Sequence, residues 1–177
     1  TFRGIVSKIY IPKYMLILEK LYVNAFKMLI SFGIVAAFAV AYRIHPTVNL
    51  IGCIPVILLV LLLTFACSVL VAHFGVYIND LYNVVQVILR FMFYLSGVFY
   101  DVSDRLSQTT FLGFNVGRMM ITVNPVAYVI DELRKIIIYG QPLRAELYIY
   151  WLLISFILLF VGLKLMYRFE NSYIKVV

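Results

Sequence analysis

Arg90 is the residue whose chemistry has most to explain. It stands inside the apolar run Leu81–Tyr100, and a charge at the centre of a bilayer costs roughly 3 kcal/mol or more unless it meets water or a partner. Two readings of it stay open. Either a water-filled path or an acid reaches it at mid-membrane, or the run enters the membrane later and Arg90 lies near the cytoplasmic interface. Around it gather Tyr77, Tyr82, Phe91, Phe93, Tyr94, Phe99 and Tyr100. Aromatic faces suit the C–H faces of sugar rings and hold them without many directed hydrogen bonds. Tyr77, Phe93, Tyr94, Phe99 and Tyr100, with Arg90, are therefore candidates to line a channel. The same residues also suit an interfacial belt and ordinary packing.

Other reactive groups carry less. Asp131-Glu132 beside Arg134-Lys135 has the composition of an acid–base site. Adjacent acids on a helix point in different directions, which favours a solvated or ion-paired face. His45 and His73 lie near opposite ends of the second apolar run and cannot share a metal through that helix; each reads as a satisfied polar or interfacial group. Cys53 and Cys67 are separated by about 21 Å of helix, too far for a disulfide. There is no GxxxxGK[ST], HExxH, CxxC or GxSxG pattern, so no catalytic or metal residue is assigned and no phosphate-cradling loop is expected in this chain.

The elements that must position these groups follow from composition. Apolar residues make up 64% of the 177, and charged ones 13%; soluble domains run near about 45–50% and 25%. The expectation is an all-α membrane protein of one transmembrane domain. It has four transmembrane helices, a re-entrant helix pair on the outer side and a basic interfacial segment at the N-terminus. That segment is 1–20, broken at Pro12. Spans one to three lie within 21–100, as about Leu21–Tyr42, Leu50–Ile78 and Leu81–Tyr100. The third leaves an uncharged piece, Phe91–Tyr100, short enough for a broken segment. Region 101–146 carries two apolar patches, Phe111–Val123 and Val126–Tyr139, split by Asn124-Pro125. Each is long enough to dip in and return, and the Asn-Pro pair suits the reversal. Span four is 147–167, and 168–177 is a tail.

The formal charge is +7. Arg3, Lys8, Lys13, Lys20 and Lys27 gather at the first span, and Lys164, Arg168 and Lys175 at the end of the chain. Such flanks are cytoplasmic under the positive-inside rule. An even number of crossings then puts both termini of this segment in the cytoplasm. The placement of the basic residues argues against nucleic-acid binding and for contact with membrane lipid. The chain begins at Thr1 and enters at once into a basic amphipathic stretch, and an earlier part is expected to be missing.

Several segments, in order, resemble the membrane subunits of type-2 ABC exporters, especially those exporting polysaccharides such as teichoic acids and O-antigens. VSKIYIPKYMLIL (Val6–Leu18) is similar to that family's basic-aromatic-proline stretch. VYINDLYNVVQVILRFMFYLSGVFY (Val76–Tyr100) is similar to its acidic residue, broken helix and aromatic segment. NPVAYVIDELRKIIIYGQP (Asn124–Pro142) is similar to the Asn-Pro, downstream Arg and Gly of its outward-facing re-entrant pair. The chain departs at Ser96-Gly97, where the family usually has Ser/Thr-Pro, so the break may take another shape. It also has four of the family's six membrane helices.

The resemblance implies a homodimeric permease in a bacterial cytoplasmic membrane, with two separate ATPase subunits that bind ATP and Mg. Arg3, Lys8, Tyr10, Pro12 and Lys13 would lie near the ATPase contact. Asn124, Pro125 and Arg134 would belong to an outer gate. The cargo would be a lipid-linked polysaccharide, moved on ATP hydrolysis in the partner. A drug or small-lipid exporter of the same architecture is the alternative. A membrane-embedded transferase is the rival from another class.

Overall fold

A computed structural model describes residues 13–78, 80–100, 110–111 and 114–176. The first helix, α1 (Lys13–Ala41), begins directly after Pro12 and runs 29 residues, about 43 Å of helix. It starts eight residues before the expected first span. With no proline between Pro12 and Pro46, nothing separates the basic stretch 13–20 from the apolar run that follows. Arg3, Lys8, Tyr10 and Pro12 lie outside the described residues. α1 ends where Arg43 takes a positive φ of 56°, and the Ile44 amide donates back to the Ala39 carbonyl. This is the closing turn that glycine more often makes.

A 3-10 turn, Val48–Gly52, leads into α2 (Cys53–Phe74). Pro55 falls in the first turn of α2, where its missing N–H costs nothing. α3 (Leu81–Tyr94) follows. Two-residue strands β1 (Thr110–Phe111) and β2 (Phe114–Asn115) pair antiparallel. Then come α4 (Val116–Val123), α5 (Pro125–Ile137) and α6 (Ala145–Val176). The chain is thus essentially all-helical, as expected.

Three helices are long and apolar enough to cross a membrane, over Tyr14–Ala41, Val48–Phe74 and Ala145–Phe169. α3, with 14 residues, is about 21 Å long, short of roughly 30 Å of hydrocarbon. The apolar run to Tyr100 therefore is not one helix. The Ser96 hydroxyl donates back to the Met92 carbonyl, and Gly97 adopts φ 68°, which ends the helix without the proline usual in the resembling family. Buried Ser96 and Gly97 leave little room for a larger residue.

α2 and α6 form the centre of the packing. Leu59 lies in one buried cluster with Trp151, Val69 and Leu70 face Gly162, and the rings of His73 and Phe169 are 5.5 Å apart. Both numbers rise together, so the helices run parallel. A Cβ on Gly162 would come within 3.0 Å of Val69 Cγ1; glycine here permits the close approach. α1 runs the other way, with Tyr14 6.4 Å from Tyr167 near the end of α6.

α4 and α5 make a helical hairpin broken at Asn124. Its α4 end lies beside the start of α6, where Asn115, Arg118, Arg144 and Glu146 border one cavity. Its vertex reaches toward α3. Leu59, Ile121, Tyr128 and Trp151 form the buried cluster that seats it, with Tyr100, Val129 and Tyr148 packed against them. The turn after α5 is fixed to the start of α2. Gly140 adopts φ 62° with its ideal Cβ position 3.0 Å from Thr47 Cγ2, and its carbonyl accepts from Asn49 Nδ2 at 2.6 Å.

Candidate functional site

The site is the junction of α3 with the α4–α5 hairpin. It begins with Asn124, which ends one helix and starts the next. Its Oδ1 accepts from the Val126 amide at 3.0 Å and the Ala127 amide at 3.3 Å. This satisfies donors that a helix start leaves open, and Pro125 at the first helical position has no N–H to satisfy. The same side chain turns its Nδ2 to α3, donating to the Met92 carbonyl at 3.1 Å and to Ser96 Oγ at 3.2 Å. One amide thus caps α5 and holds the end of α3.

Two and a half turns along α5, Arg134 repeats the connection. Its Nη1 donates to the Tyr100 carbonyl at 3.1 Å and its Nη2 to the Gly97 carbonyl at 3.0 Å. The carbonyls freed by the break after α3 are therefore met by a planar, permanently charged fork. A backbone carbonyl shielded from water needs such a donor. Asn124, Pro125 and Arg134, expected as one group from the sequence, are brought together against a segment that contains Tyr100.

A second connection ties α5 to α6, through residues the sequence reading did not place at a site. Arg144 donates from Nε to Glu132 Oε2 at 2.7 Å and from its backbone amide to Glu132 Oε1 at 2.8 Å. Its Nη2 reaches Asp131 Oδ2 at 2.5 Å, and Lys135 Nζ is 3.1 Å from the same oxygen. Asp131 and Glu132 are buried. The face is ion-paired rather than solvated. Both acids meet one guanidinium, Glu132 through Nε and Asp131 through Nη2. Burial works against the charge of Arg144, but the hydrogen bond to Glu132 and the charges of Glu132 and Asp131 more than offset it and hold the group above its ordinary pKa. Trp151 Nε1 donates to the Ile121 carbonyl at 3.3 Å, fixing α4 to α6. The hydroxyl of Tyr128 is buried with no hydrogen-bond partner among the described residues.

The expected channel residues divide. Arg90, Phe93 and Tyr94 occupy one exposed face of α3 at helical spacing, and among the described residues no hydrogen bond or ion pair engages the Arg90 side chain. The Phe93 and Phe99 rings meet edge to face with centroids 6.3 Å apart, and Phe99 is exposed. Tyr100 instead turns inward onto the Leu59–Trp151 cluster. Tyr77 is remote from this group. It precedes α3 at its other end, with its ring 5.5 Å from His73. Of the expected ATPase-contact residues only Lys13 is described, as the first residue of α1.

Among the described residues no group of three or more His, Cys, Asp or Glu could hold a metal. No family model matches the chain, and no solved structure matches it. The chain is similar to the O-antigen export system permease protein RfbA of Klebsiella pneumoniae, with 26% identity over 172 residues. The match covers 94% of this chain and 63% of that relative. Its near-complete coverage supports the type-2 ABC exporter permease family for this chain, as the resemblance of its motifs implied.

Proposed function

We propose that the chain is the membrane-spanning part of an ABC exporter that moves a lipid-linked polysaccharide across the bacterial cytoplasmic membrane. The observation that carries this reading is the similarity along 94% of the chain to an O-antigen export permease. The chain spans about 63% of that relative's length, so the activity of the whole protein is inferred from a part.

In this reading α1, α2, α3 with its turn, and α6 make four crossings. The alternation supports it: α1 opposes α6, and α2 parallels α6. The α4–α5 hairpin is the re-entrant pair, entering from the outer side with Asn124 at its deepest point. Two copies assemble with two ATPase subunits, which bind ATP and Mg. Their closure is passed through the inner ends of the helices, and the hairpin, bonded to α3 by Asn124 and Arg134, opens the outer side of the path. Arg90, Phe93, Tyr94 and Phe99, exposed on one copy, then face that path. A polymer of sugar rings suits such a wall, since aromatic faces bind without trapping.

The test is purification of the intact gene product from its native host in mild detergent, with identification of what accompanies it and an assay of ATP hydrolysis. A stoichiometric, active ATPase partner is the expected result. A membrane protein that comes without any nucleotide-binding subunit under several gentle conditions would overturn the exporter reading.

A further inference from the structure

The hairpin's open end carries a cavity that the packing does not use. It measures about 720 Å³, within the roughly 300–1,000 Å³ typical of small-ligand sites. It lies between the start of α4 and the start of α6. Ile121 and Leu147 contribute apolar surface, and Asn115, Arg118, Arg144 and Glu146 contribute polar groups. The guanidinium of Arg118 has no hydrogen bond or ion pair among the described residues, and neither has the carboxylate of Glu146. Arg144 spends Nε and Nη2 on Glu132 and Asp131, which leaves Nη1 as an unspent donor on a side chain 32% exposed.

Charge bookkeeping narrows the ligand. Asp131 and Glu132 balance Arg144 and Lys135 behind the wall, and at the wall Arg118 opposes Glu146. The cavity therefore has no net charge, yet offers strong donors and a strong acceptor above an apolar surface. An anion gains from Arg118 and loses to Glu146. A purely apolar ligand would cover Arg118 and Glu146 without giving either a partner. An uncharged molecule dense in hydroxyls uses everything, since each hydroxyl both donates and accepts. The Arg144 guanidinium is already fixed by its two acids, so little side-chain freedom is lost on binding.

We infer that this cavity is an exit subsite for uncharged sugar residues, holding a stretch of the polymer as it leaves past the hairpin. The inference rests on the exporter reading above and adds a place of contact away from the aromatic face of α3. A sugar held between α4 and α6 sits against the open end of the hairpin, which is joined to α3 at its vertex.

The test uses the intact transporter in its native host with the polymer the cell itself makes. A benzoylphenylalanine photocrosslinker replaces Ala145, beside Glu146 at the cavity, and in a second strain replaces exposed His45 at the end of α1. Irradiation during export is expected to give a polymer adduct at position 145 and at most a tenth of that yield at 45. Arg118→Ala and Glu146→Gln, each combined with the 145 probe, are expected to lower adduct yield about tenfold while the ATPase subunit still co-purifies. Absence of adduct at 145, equal adduct at both positions, or full adduct in both variants overturns the subsite. If those results come from a complex with an active ATPase, the exporter reading survives them. If no ATPase accompanies the chain, that reading falls first. An adduct at 145 carrying lipid and no sugar would also overturn the inference.

Discussion

Asn124 shows how one side chain can serve two structures, and its two roles can be separated. Asn124→Ala removes the cap, worth about 1 kcal/mol, and the bonds to α3, worth about 1 kcal/mol each. Asn124→Ser keeps a capping oxygen but is too short to reach Met92 or Ser96. Hydrogen exchange on the purified protein should show α5 opening in the alanine variant alone, with the end of α3 loosened in both. Equal protection of α3 in the wild type and the serine variant would show that the Nδ2 bonds do not hold it. Arg90 presents a simpler case. Arg90→Ala should impair export while leaving copurification of a second, differently tagged copy intact, and full export by the variant would place the residue outside the path. The Asn-Pro break was readable in the sequence because a cap residue followed by proline is a local signal. The partners of Arg134 were not, because they are carbonyls exposed only by the way Ser96 and Gly97 end α3.

Among the elements, α5 is held by side-chain bonds from two sides. Asn124 and Arg134 hold it to α3, and Asp131 and Glu132 hold it to Arg144 at the start of α6. Removing Arg144 leaves Glu132 buried with no cation, and breaking such a pair costs about 3–5 kcal/mol. Arg144→Met should therefore lower the thermal midpoint of the detergent-purified protein clearly, and adding Glu132→Leu should recover part of the loss. If the double variant melts no higher than the single one, the buried charge is not the source of the cost. The apolar helices were legible from composition, because a bilayer demands long uninterrupted runs. The length of α3 was not legible, since its apolar character continues through Leu95–Tyr100 while its helix does not. The acid cluster reads from sequence as a solvated or ion-paired face, and Lys135 meets Asp131 at the expected helical spacing, but Arg144, which joins both acids, lies 12 and 13 residues further on, beyond any helical spacing rule.

For the whole molecule, the proposed four-crossing arrangement makes a direct prediction. Cysteines introduced singly at Thr47 and Gln108 should react with an impermeant reagent added outside intact cells, and one at Ser172 only after the inside is opened. Labelling of position 172 from outside would overturn the arrangement. The parallel pairing of α2 with α6 has a consequence for how the protein is made. Val56, Leu59, Ala66, Val69 and His73 on α2 are buried, and contacts such as Trp151, Gly162 and Phe169 come from α6, which leaves the ribosome well after α2. Until then α2 must wait in the membrane with that face covered by lipid or by an insertion factor. Chains stopped before Ala145 should consequently be cleared quickly by membrane proteases, while chains released after Phe169 persist; pulse-chase labelling of the two lengths compares their lifetimes. Equal lifetimes would mean that α2 finds another partner during synthesis. Completion of α6 thus acts as the checkpoint at which a nascent chain becomes a durable one.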